Sequence, residues 1–329
     1  MKNEMLTVAE ASKRIDAGTV MVIAGSEDLL AQLPRGAWIG GTTVYFVTDT
    51  GGAVVRDRLF CTSLSEAIGA SPRHVTVEDL PLISKGYHPG GFSMIMVPAF
   101  SVAHSDFAVE GQNYPGLFDQ PLLGWVTGVH LDEVGTRAPM VFDGATGQGH
   151  DEGAMLLHVA LPEGASVNLD ILNIFAQGDA PELAFSFPEG GFSTRRAVVN
   201  GQEVDFAQYI SEKGIDTRLP LVANYAGAMV NVSIRSVDVD EGEVAFYAPV
   251  LAGVEYRQAR ALGNYAQAFA TSAAGEGLGQ YSCNCILNYL YGELEGQRTG
   301  NFTGPVTFGE IAYILLNQTM VRMDILPAA

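Results

Sequence analysis

Short apolar runs, each bounded by glycine or proline, recur along this chain of 329 residues. Such runs, rich in Val, Ile, Phe and Tyr, predict strands. Val167, Leu169 and Ile171 alternate with polar residues, which indicates a strand with one face towards solvent. One-sided strands are typical of antiparallel sheets, because parallel sheets are covered on both faces. The strands predicted for the first half of the chain lie at 19–24, 43–48, 74–77, 93–97, 122–129, 155–161 and 167–175.

Helical signals are fewer than strand signals. Thr7 and Glu10 form a capping-box pattern, which predicts a helix over 8–17. An apolar stripe of helical period predicts a second, long helix over 255–273. The sequence therefore predicts an α/β fold with α+β character. We expect two tandem modules of mixed, largely antiparallel β-sheets covered by helices, for which a layered αββα sandwich is one arrangement.

Three polar segments rich in glycine or proline interrupt the pattern. The segment at 143–152 predicts a long loop. The segments at 178–181 and 188–191 predict a break between modules, so we place the domain boundary near residue 185. The modules are then residues 1–185 and 186–329.

One short repeat is visible: Gly-Gly-Phe-Ser occurs at 90–93 and again at 190–193. A glycine pair before a strand is common turn chemistry. We therefore interpret the repeat as coincidence.

Charge and composition exclude several classes of protein. The chain has 37 acidic and 18 basic residues, a formal charge of −19 at pH 7, and 47% hydrophobic residues. Such a composition is globular, and an acidic surface repels phosphate backbones and anionic lipid surfaces. We expect neither nucleic acid nor a membrane as a partner. Three cysteines cannot form an even disulfide framework, and no run reaches the ~20 apolar residues of a membrane span. These features predict a cytoplasmic protein of bacterial type.

The segment Ser282-Cys283-Asn284-Cys285 lies where a predicted strand gives way to a predicted helix. Free backbone N–H groups at such a junction favour a bound anion, and a thiol there has a lowered pKa. The alternative is that Ser282 or Asn284 caps the helix and that both thiols are buried small hydrophobic groups. Both interpretations stay open.

Two further segments are candidate parts of a ligand site. Gly40, Gly41, Thr42 and Thr43 form either a ligand-facing turn with hydroxyl groups or a tight β-turn that enters a strand.

In the other segment, Thr307, Gly309 and Glu310 end a predicted strand. Gly309 allows close approach of the backbone, and the Glu310 carboxylate is the natural partner of an amino group. The alternative for this segment is a bulged strand with Glu310 in solvent.

Cofactor and metal signals are weak. No histidine falls at ligand spacing from a cysteine, so we expect no structural zinc, and the chain carries no nucleotide-binding fingerprint. His150 with Asp151 and Glu152 is a minor candidate for a cation site. We expect neither a metal nor a cofactor.

The C-terminal motifs resemble the FIST family of sensory modules found in bacterial signal-transduction proteins and in some F-box proteins. In that family a Ser-Cys turn follows a long helix, and a Gly-Glu-Ile segment precedes an Asn-Gln-Thr strand. Here Ser282-Cys283, Gly309-Glu310-Ile311 and Asn317-Gln318-Thr319 occur in the same order. The resemblance covers about residues 198–326 and extends weakly to the first half. Family members commonly carry an Arg shortly after the Cys, whereas this chain continues with Asn284 and Cys285.

The resemblance implies tandem α/β modules that bind small molecules, with amino acids as the proposed class and no established catalysis. Our first hypothesis is a non-enzymatic sensor of an amino acid or small carboxylate in bacterial signal transduction. Its pocket would lie between the halves, lined by 40–43, 283–285 and 307–310. It would pass its signal to another signalling protein, and a homodimer is one possible state. The alternatives are a thiol-dependent enzyme that uses Cys283 or Cys285 and a scaffold that only dimerises.

Overall fold

The computed structural model describes residues 1–225, 228–272 and 281–327. The helices within these ranges are α1 (Val8–Asp16), α2 (Glu27–Leu30), α3 (Val102–Glu110), α4 (Phe206–Lys213), α5 (Tyr265–Ser272) and α6 (Ile286–Tyr291). The strands are β1 (Lys2–Leu6), β2 (Met21–Gly25), β3 (Trp38–Thr42), β4 (Tyr45–Thr48), β5 (Gly51–Val54), β6 (Leu59–Ser63), β7 (Gly69–Val75), β8 (Phe92–Pro98), β9 (Leu122–Thr127), β10 (Val141–Asp143), β11 (Gln148–His150), β12 (Ala154–Ala160), β13 (Ser166–Leu172), β14 (Ala184–Ser186), β15 (Gly191–Thr194), β16 (Arg196–Val199), β17 (Gln202–Asp205), β18 (Leu221–Tyr225), β19 (Ala228–Val232), β20 (Ile234–Asp238), β21 (Glu243–Val250), β22 (Glu255–Gln258), β23 (Tyr281–Cys285), β24 (Gly304–Thr307), β25 (Gly309–Ala312), β26 (Ile314–Leu316) and β27 (Met320–Leu326). Strands outnumber helices, as the sequence predicts, and the mixed α/β class is confirmed.

Three of the sheets in the described residues share one plan. Their strand orders are β1-β6-β2-β3-β10-β11 for sheet I, β7-β12-β8-β9-β25-β26 for sheet II and β13-β27-β23-β24-β4-β5 for sheet III. Each sheet has a central parallel pair whose two strands are joined through a helix, and its other pairings are antiparallel. The strand after each pair crosses into the neighbouring sheet, so the three sheets interlock in a cycle. We call sheets I to III the three-sheet unit.

The three-sheet unit has one shared core. Val22 of sheet I, Met94 of sheet II and Val321 of sheet III belong to the same buried apolar cluster. Helices cover the outer faces, where α1 and α2 pack on sheet I through Ile15 and Leu30. Trp125, Tyr281 and Phe46, among the largest fully buried side chains of the protein, belong to this shared core.

Each parallel pair ends in the same short motif, Gly-x-x-Thr. The motif occurs at 40–43, 124–127 and 304–307. Two of the glycines are sterically required, because a Cβ would lie 1.7 Å from the Ile95 carbonyl oxygen at Gly124 and 1.9 Å from the Ser282 carbonyl oxygen at Gly304. At Gly124 and Gly304 the absence of a side chain thus allows two parallel strands to approach closely.

Between β13 and β23 the chain forms a separate inserted unit. Its strands make one sheet in the order β17-β16-β14-β22-β18-β19 and a smaller sheet in the order β15-β21-β20. Phe185, Phe206 and Tyr256 belong to its own buried core. The unit packs against the three-sheet unit where β19 contacts β26.

The strand pairing does not follow the predicted boundary near residue 185. Sheet III joins β4, β5 and β13 to the C-terminal strands β23, β24 and β27, and sheet II joins β8 and β9 to β25 and β26. The observed arrangement is an insertion within one interlocked unit of mixed, largely antiparallel sheets. Sequence reasoning failed here because long-range strand pairing leaves no local signal.

Some of the predicted helices and loops are confirmed and others are wrong. Helix α1 and its capping box are confirmed, with Thr7 as the N-cap. The long loop predicted at 143–152 is instead largely the hairpin of β10 and β11. The long helix predicted over 255–273 is wrong: β22 occupies its first residues and α5 begins at Tyr265, while residue 273 lies outside the described residues. No helix in the described part of the chain is long and apolar enough to cross a membrane.

Candidate functional site

The eleven residues predicted to bind a ligand are all buried. They are Gly40, Gly41, Thr42, Thr43, Ser282, Cys283, Asn284, Cys285, Thr307, Gly309 and Glu310. The structure brings their three segments together at one end of the three-sheet unit, where β23 pairs with β24 and the Thr43 hydroxyl donates to the Val306 carbonyl oxygen at 2.7 Å. Thr42 and Thr43 line a small cavity of about 20 Å³. The segments therefore converge as expected, but they converge in packed interior.

Glu310 lies in the interior between the sheets, not in solvent. Its side chain is 0% exposed, and its neighbour across the strand pair is Trp125. The corresponding residues of the other two sheets, by register, are Val141 and Phe46, both members of the shared apolar core. A carboxyl group thus occupies a position that the fold otherwise fills with an apolar side chain.

The Glu310 carboxyl has few partners. One oxygen, Oε2, accepts from the Thr319 hydroxyl at 2.8 Å and from the Thr319 backbone N–H at 3.3 Å. The other oxygen, Oε1, is buried with no hydrogen-bond partner among the described residues. Burial raises the pKa of Glu310 to about 8, against the lowering effect of Thr319, Cys285 and Thr307. The neutral acid is therefore the form that suits this site near neutral pH.

The two C-terminal cysteines are inert in this geometry. Cys283 lies inside the shared core, with its Sγ 3.5 Å from the Gly124 carbonyl oxygen. Cys285 is the N-cap of the six-residue helix α6, so neither Ser282 nor Asn284 caps it. Burial, and then the nearby Glu310, raise the pKa of both thiols well above the usual value. The lowered thiol pKa predicted for this junction is wrong, because the junction is sealed from water.

We expect the thiols to be slow in alkylation. At neutral pH, iodoacetamide should label Cys283 and Cys285 orders of magnitude more slowly than free cysteine, since burial suppresses both thiolate formation and access. Peptide mass spectrometry after timed labelling measures each site. Cys61, which is also buried with a pKa raised to about 12, serves as the internal reference for an unreactive thiol. Faster labelling of Cys283 or Cys285 than of free cysteine would restore the thiol-enzyme alternative.

A larger cavity lies between the inserted unit and the end of α6. Its volume is about 480 Å³. We call it the cleft, and its lining residues are Asp216, Arg218, Leu219, Ala261, Leu262, Gly263, Asn264, Tyr265, Ala266, Tyr291, Gly292, Glu293 and Gln297. None of these residues was predicted to belong to a site, because they come from three separate stretches of chain that only the fold brings together.

The cleft carries charges of both signs. Arg218 donates from Nε and Nη2 to the two carboxylate oxygens of Asp216, at 3.0 and 2.9 Å, and its side chain remains 69% exposed. Glu293 adds a second carboxylate to the wall, and Tyr265, whose pKa burial raises to about 12, supplies a neutral phenol. A small ligand in the cleft would therefore meet a cation, two carboxylates and an aromatic ring.

A buried turn connects the cleft to Glu310. The turn is 317–319, between β26 and β27, and Gln318 adopts a positive φ of 48° within it. The Gln318 side-chain amide donates to the Arg218 carbonyl oxygen at 3.1 Å, while Ser233 of the inserted unit donates to the Asn317 side chain. The Asn-Gln-Thr segment of the predicted motif is therefore mainly a turn that joins the two units rather than a strand.

Histidines show no sign of a metal centre. The described residues contain no group of three or more His, Cys, Asp or Glu side chains able to hold a metal ion. In the segment considered for a cation, the rings of His150 and His74 stack at 3.8 Å. The Glu152 carboxylate accepts instead from the backbone N–H groups of Val102 and Ala103 at the start of α3.

Comparison with known proteins gives one match. No curated protein and no solved structure matches this chain. The FIST resemblance remains a prediction, because no finding tests it. Residues 6–326, nearly the whole chain, match the sequence profile of DUF6976, a family of unknown function. The chain belongs to the DUF6976 family.

Proposed function

We propose that the protein is a non-enzymatic sensor that binds an amino acid or small carboxylate in the cleft. The observation that carries the proposal is the cleft itself, about 480 Å³, lined by residues of the inserted unit and by residues at and after the end of α6. Ligand pockets are typically about 300–1,000 Å³ and form preferentially at domain interfaces. The proposal keeps the expected ligand class and moves the site away from the buried cysteine segment.

The charges of the cleft support this ligand class. Asp216 uses two of the five N–H groups of Arg218, so the guanidinium has further donors for a ligand carboxylate. Glu293 and Asp216 also line the cleft, and their carboxylates complement an ammonium group. Leu219 and Leu262 offer apolar surface for the remainder of a small ligand.

The position of the cleft supports a sensing role. Its walls come from the inserted unit on one side and, on the other, from Tyr291 at the end of α6 and from Gly292, Glu293 and Gln297, which follow it. A ligand that touches both walls stabilises one relative arrangement of the two units. We propose that a signalling protein reads this arrangement in the cytoplasm, a location that the three free cysteines support.

Arg218 should be necessary for ligand binding. A thermal-shift screen of the protein amino acids and succinate tests the proposal, because a ligand at about 100 times its Kd adds ~2.7 kcal/mol of stability. We expect Arg218→Gln to abolish the shift given by the best ligand, since the variant loses the charged fork that holds the carboxylate.

Arg196→Gln is the matched control. Arg196 is also an exposed arginine of the inserted unit with a carboxylate neighbour, Glu203, and it does not line the cleft. This variant should keep the full shift. Absence of any shift across the screen, or equal loss in both variants, would contradict the proposed function.

A further inference from the structure

We propose that Glu310 is the internal element that responds to the cleft: ligand binding there and uptake of a proton by Glu310 favour each other. The proton comes from solvent and returns to it when the ligand leaves. The inference rests on the proposed function, since it concerns the regulation of the same cleft.

Glu310 occupies an unusual position in the three-sheet unit. Two of the three equivalent positions in the three-sheet unit hold Val141 and Phe46, and only the third holds an ionisable group. An unpaired buried charge is strongly destabilising, and a half-satisfied carboxyl is worse for stability than an apolar side chain. A carboxyl at this position therefore needs a reason other than stability.

Both walls of the cleft connect by hydrogen bonds to the same two residues, Gln318 and Thr319. Along one route, Gln318 binds the Arg218 carbonyl oxygen in the inserted unit. Along the other, the Asn288 side chain of α6 donates to the Thr319 carbonyl oxygen at 3.1 Å. Thr319 in turn supplies the two donors that Glu310 Oε2 accepts. A change in the relative position of the walls thus reaches Glu310 through one turn.

The sign of the coupling follows from the hydrogen bonds of Glu310. The two close donors are both on Oε2, and Oε1 has no hydrogen-bond partner among the described residues, an arrangement that suits a neutral acid rather than a carboxylate. The titratable groups that face Glu310 are the thiols Cys283 and Cys285 of β23, and they bring no positive charge. The arrangement seen here, with its cleft formed, is therefore the protonated one. A ligand that stabilises this arrangement also stabilises the proton on Glu310.

Tryptophan fluorescence measures the coupling directly. The chain has two tryptophans, and Trp125 is the cross-strand neighbour of Glu310, so a Trp38→Phe background isolates the reporter. Titration from about pH 6 to pH 10 should show one transition near pH 8, the pKa of Glu310. Glu310→Gln should remove it, because the amide does not titrate.

Ligand should then move the transition. With saturating succinate, which has no group that titrates in this range, or with the best amino acid of the screen, we expect the midpoint to rise by about one pH unit, a roughly tenfold coupling. Glu163→Gln, at an exposed position, should leave the transition in place. If Glu310→Gln does not fold, Thr319→Val provides the test, because losing the Thr319 hydroxyl should raise the midpoint.

Three results would overturn the inference. A transition that persists in Glu310→Gln, or a midpoint unchanged in Thr319→Val, would mean that Glu310 is not the titrating group. A ligand that raises the melting temperature but leaves the midpoint in place would remove the coupling while the proposed function stands. If no ligand of the screen binds, the proposed function fails and this inference fails with it.

Discussion

Gly304→Ala is expected to destabilise the protein by at least about 3 kcal/mol, and urea unfolding will show the loss as a lower midpoint. The added Cβ would lie 1.9 Å from the Ser282 carbonyl oxygen, an atom of the backbone that no side-chain rotation can move away. Relief requires β23 and β24 to separate, and their pairing holds the middle of sheet III together. The effect should therefore be global.

Two further substitutions frame this result. Gly124→Ala, at the equivalent position of sheet II, should destabilise to a similar or larger extent, because its Cβ would lie 1.7 Å from the Ile95 carbonyl oxygen. Gly69→Ala is the control within the same unit, since a Cβ there meets only the Ala160 methyl group at 3.8 Å. It should change stability by less than about 1 kcal/mol. Similar unfolding midpoints for Gly304→Ala and Gly69→Ala would refute the interpretation of the Gly-x-x-Thr motif.

Glu310→Gln is expected to become progressively more stable than the wild-type protein as pH rises from about 5 to 8. In the folded protein the carboxyl pKa is raised from 4.5 to about 8, so the folded state keeps a proton that the unfolded state has already lost. Stability from this group is fully present below about pH 4.5 and is lost as pH rises through 8. Integrated over that range, the relative change is on the order of 5 kcal/mol.

The measurement is the difference between two unfolding free energies at each pH. Other carboxylates, such as Asp216 with its lowered pKa, give slopes of the opposite sign in both proteins, and subtraction removes them. Any constant cost of the amide at position 310 shifts the difference curve without tilting it. The exposed Glu163→Gln variant should give a flat curve. A flat curve for Glu310→Gln as well would show that Glu310 is ionised in the folded protein or that its environment is wetter than the geometry indicates.

The three-sheet unit repeats one plan three times, and the repeats differ at the position that Glu310 occupies in the third. Thr43, Thr127 and Thr307 end the three motifs and are all buried. The residues that enter the shared core after the crossing into the next sheet differ: two are apolar and the third is Glu310. The insertion that builds the cleft also belongs to the third repeat, between β13 and β23.

Part of this repeat was accessible from the sequence. Gly-x-x-Thr occurs at 40, 124 and 304, but it also occurs at 191, 214, 296 and 300, so a motif with two free positions is weak, and the unequal spacing hides the period. The visible repeat, Gly-Gly-Phe-Ser, leads into the start of a strand in both places, β8 and β15. Its interpretation as coincidence stays a prediction.

The sequence by itself determined the local elements and the chemical class of the interesting residues. Alternation predicted strands such as β13, the capping box predicted α1, and the polar residues among apolar runs identified Glu310 and the 317–319 segment as unusual. These features depend on residues within a few positions along the chain, so short sequence patterns can predict them.

Only the tertiary structure decided which strands pair, where Glu310 lies and where a cavity forms. The partners of Glu310 and the walls of the cleft are joined by contacts between residues far apart in the chain, such as the bond from Gln318 to Arg218. Burial of Cys283 follows from the closing of three sheets around one core, and Cys285 is buried in a second cluster with Tyr45 and Phe269, so no single segment specifies either environment. The segment that was predicted to bind an anion is therefore buried in the protein interior. The cleft is formed by segments that no local sequence pattern identifies.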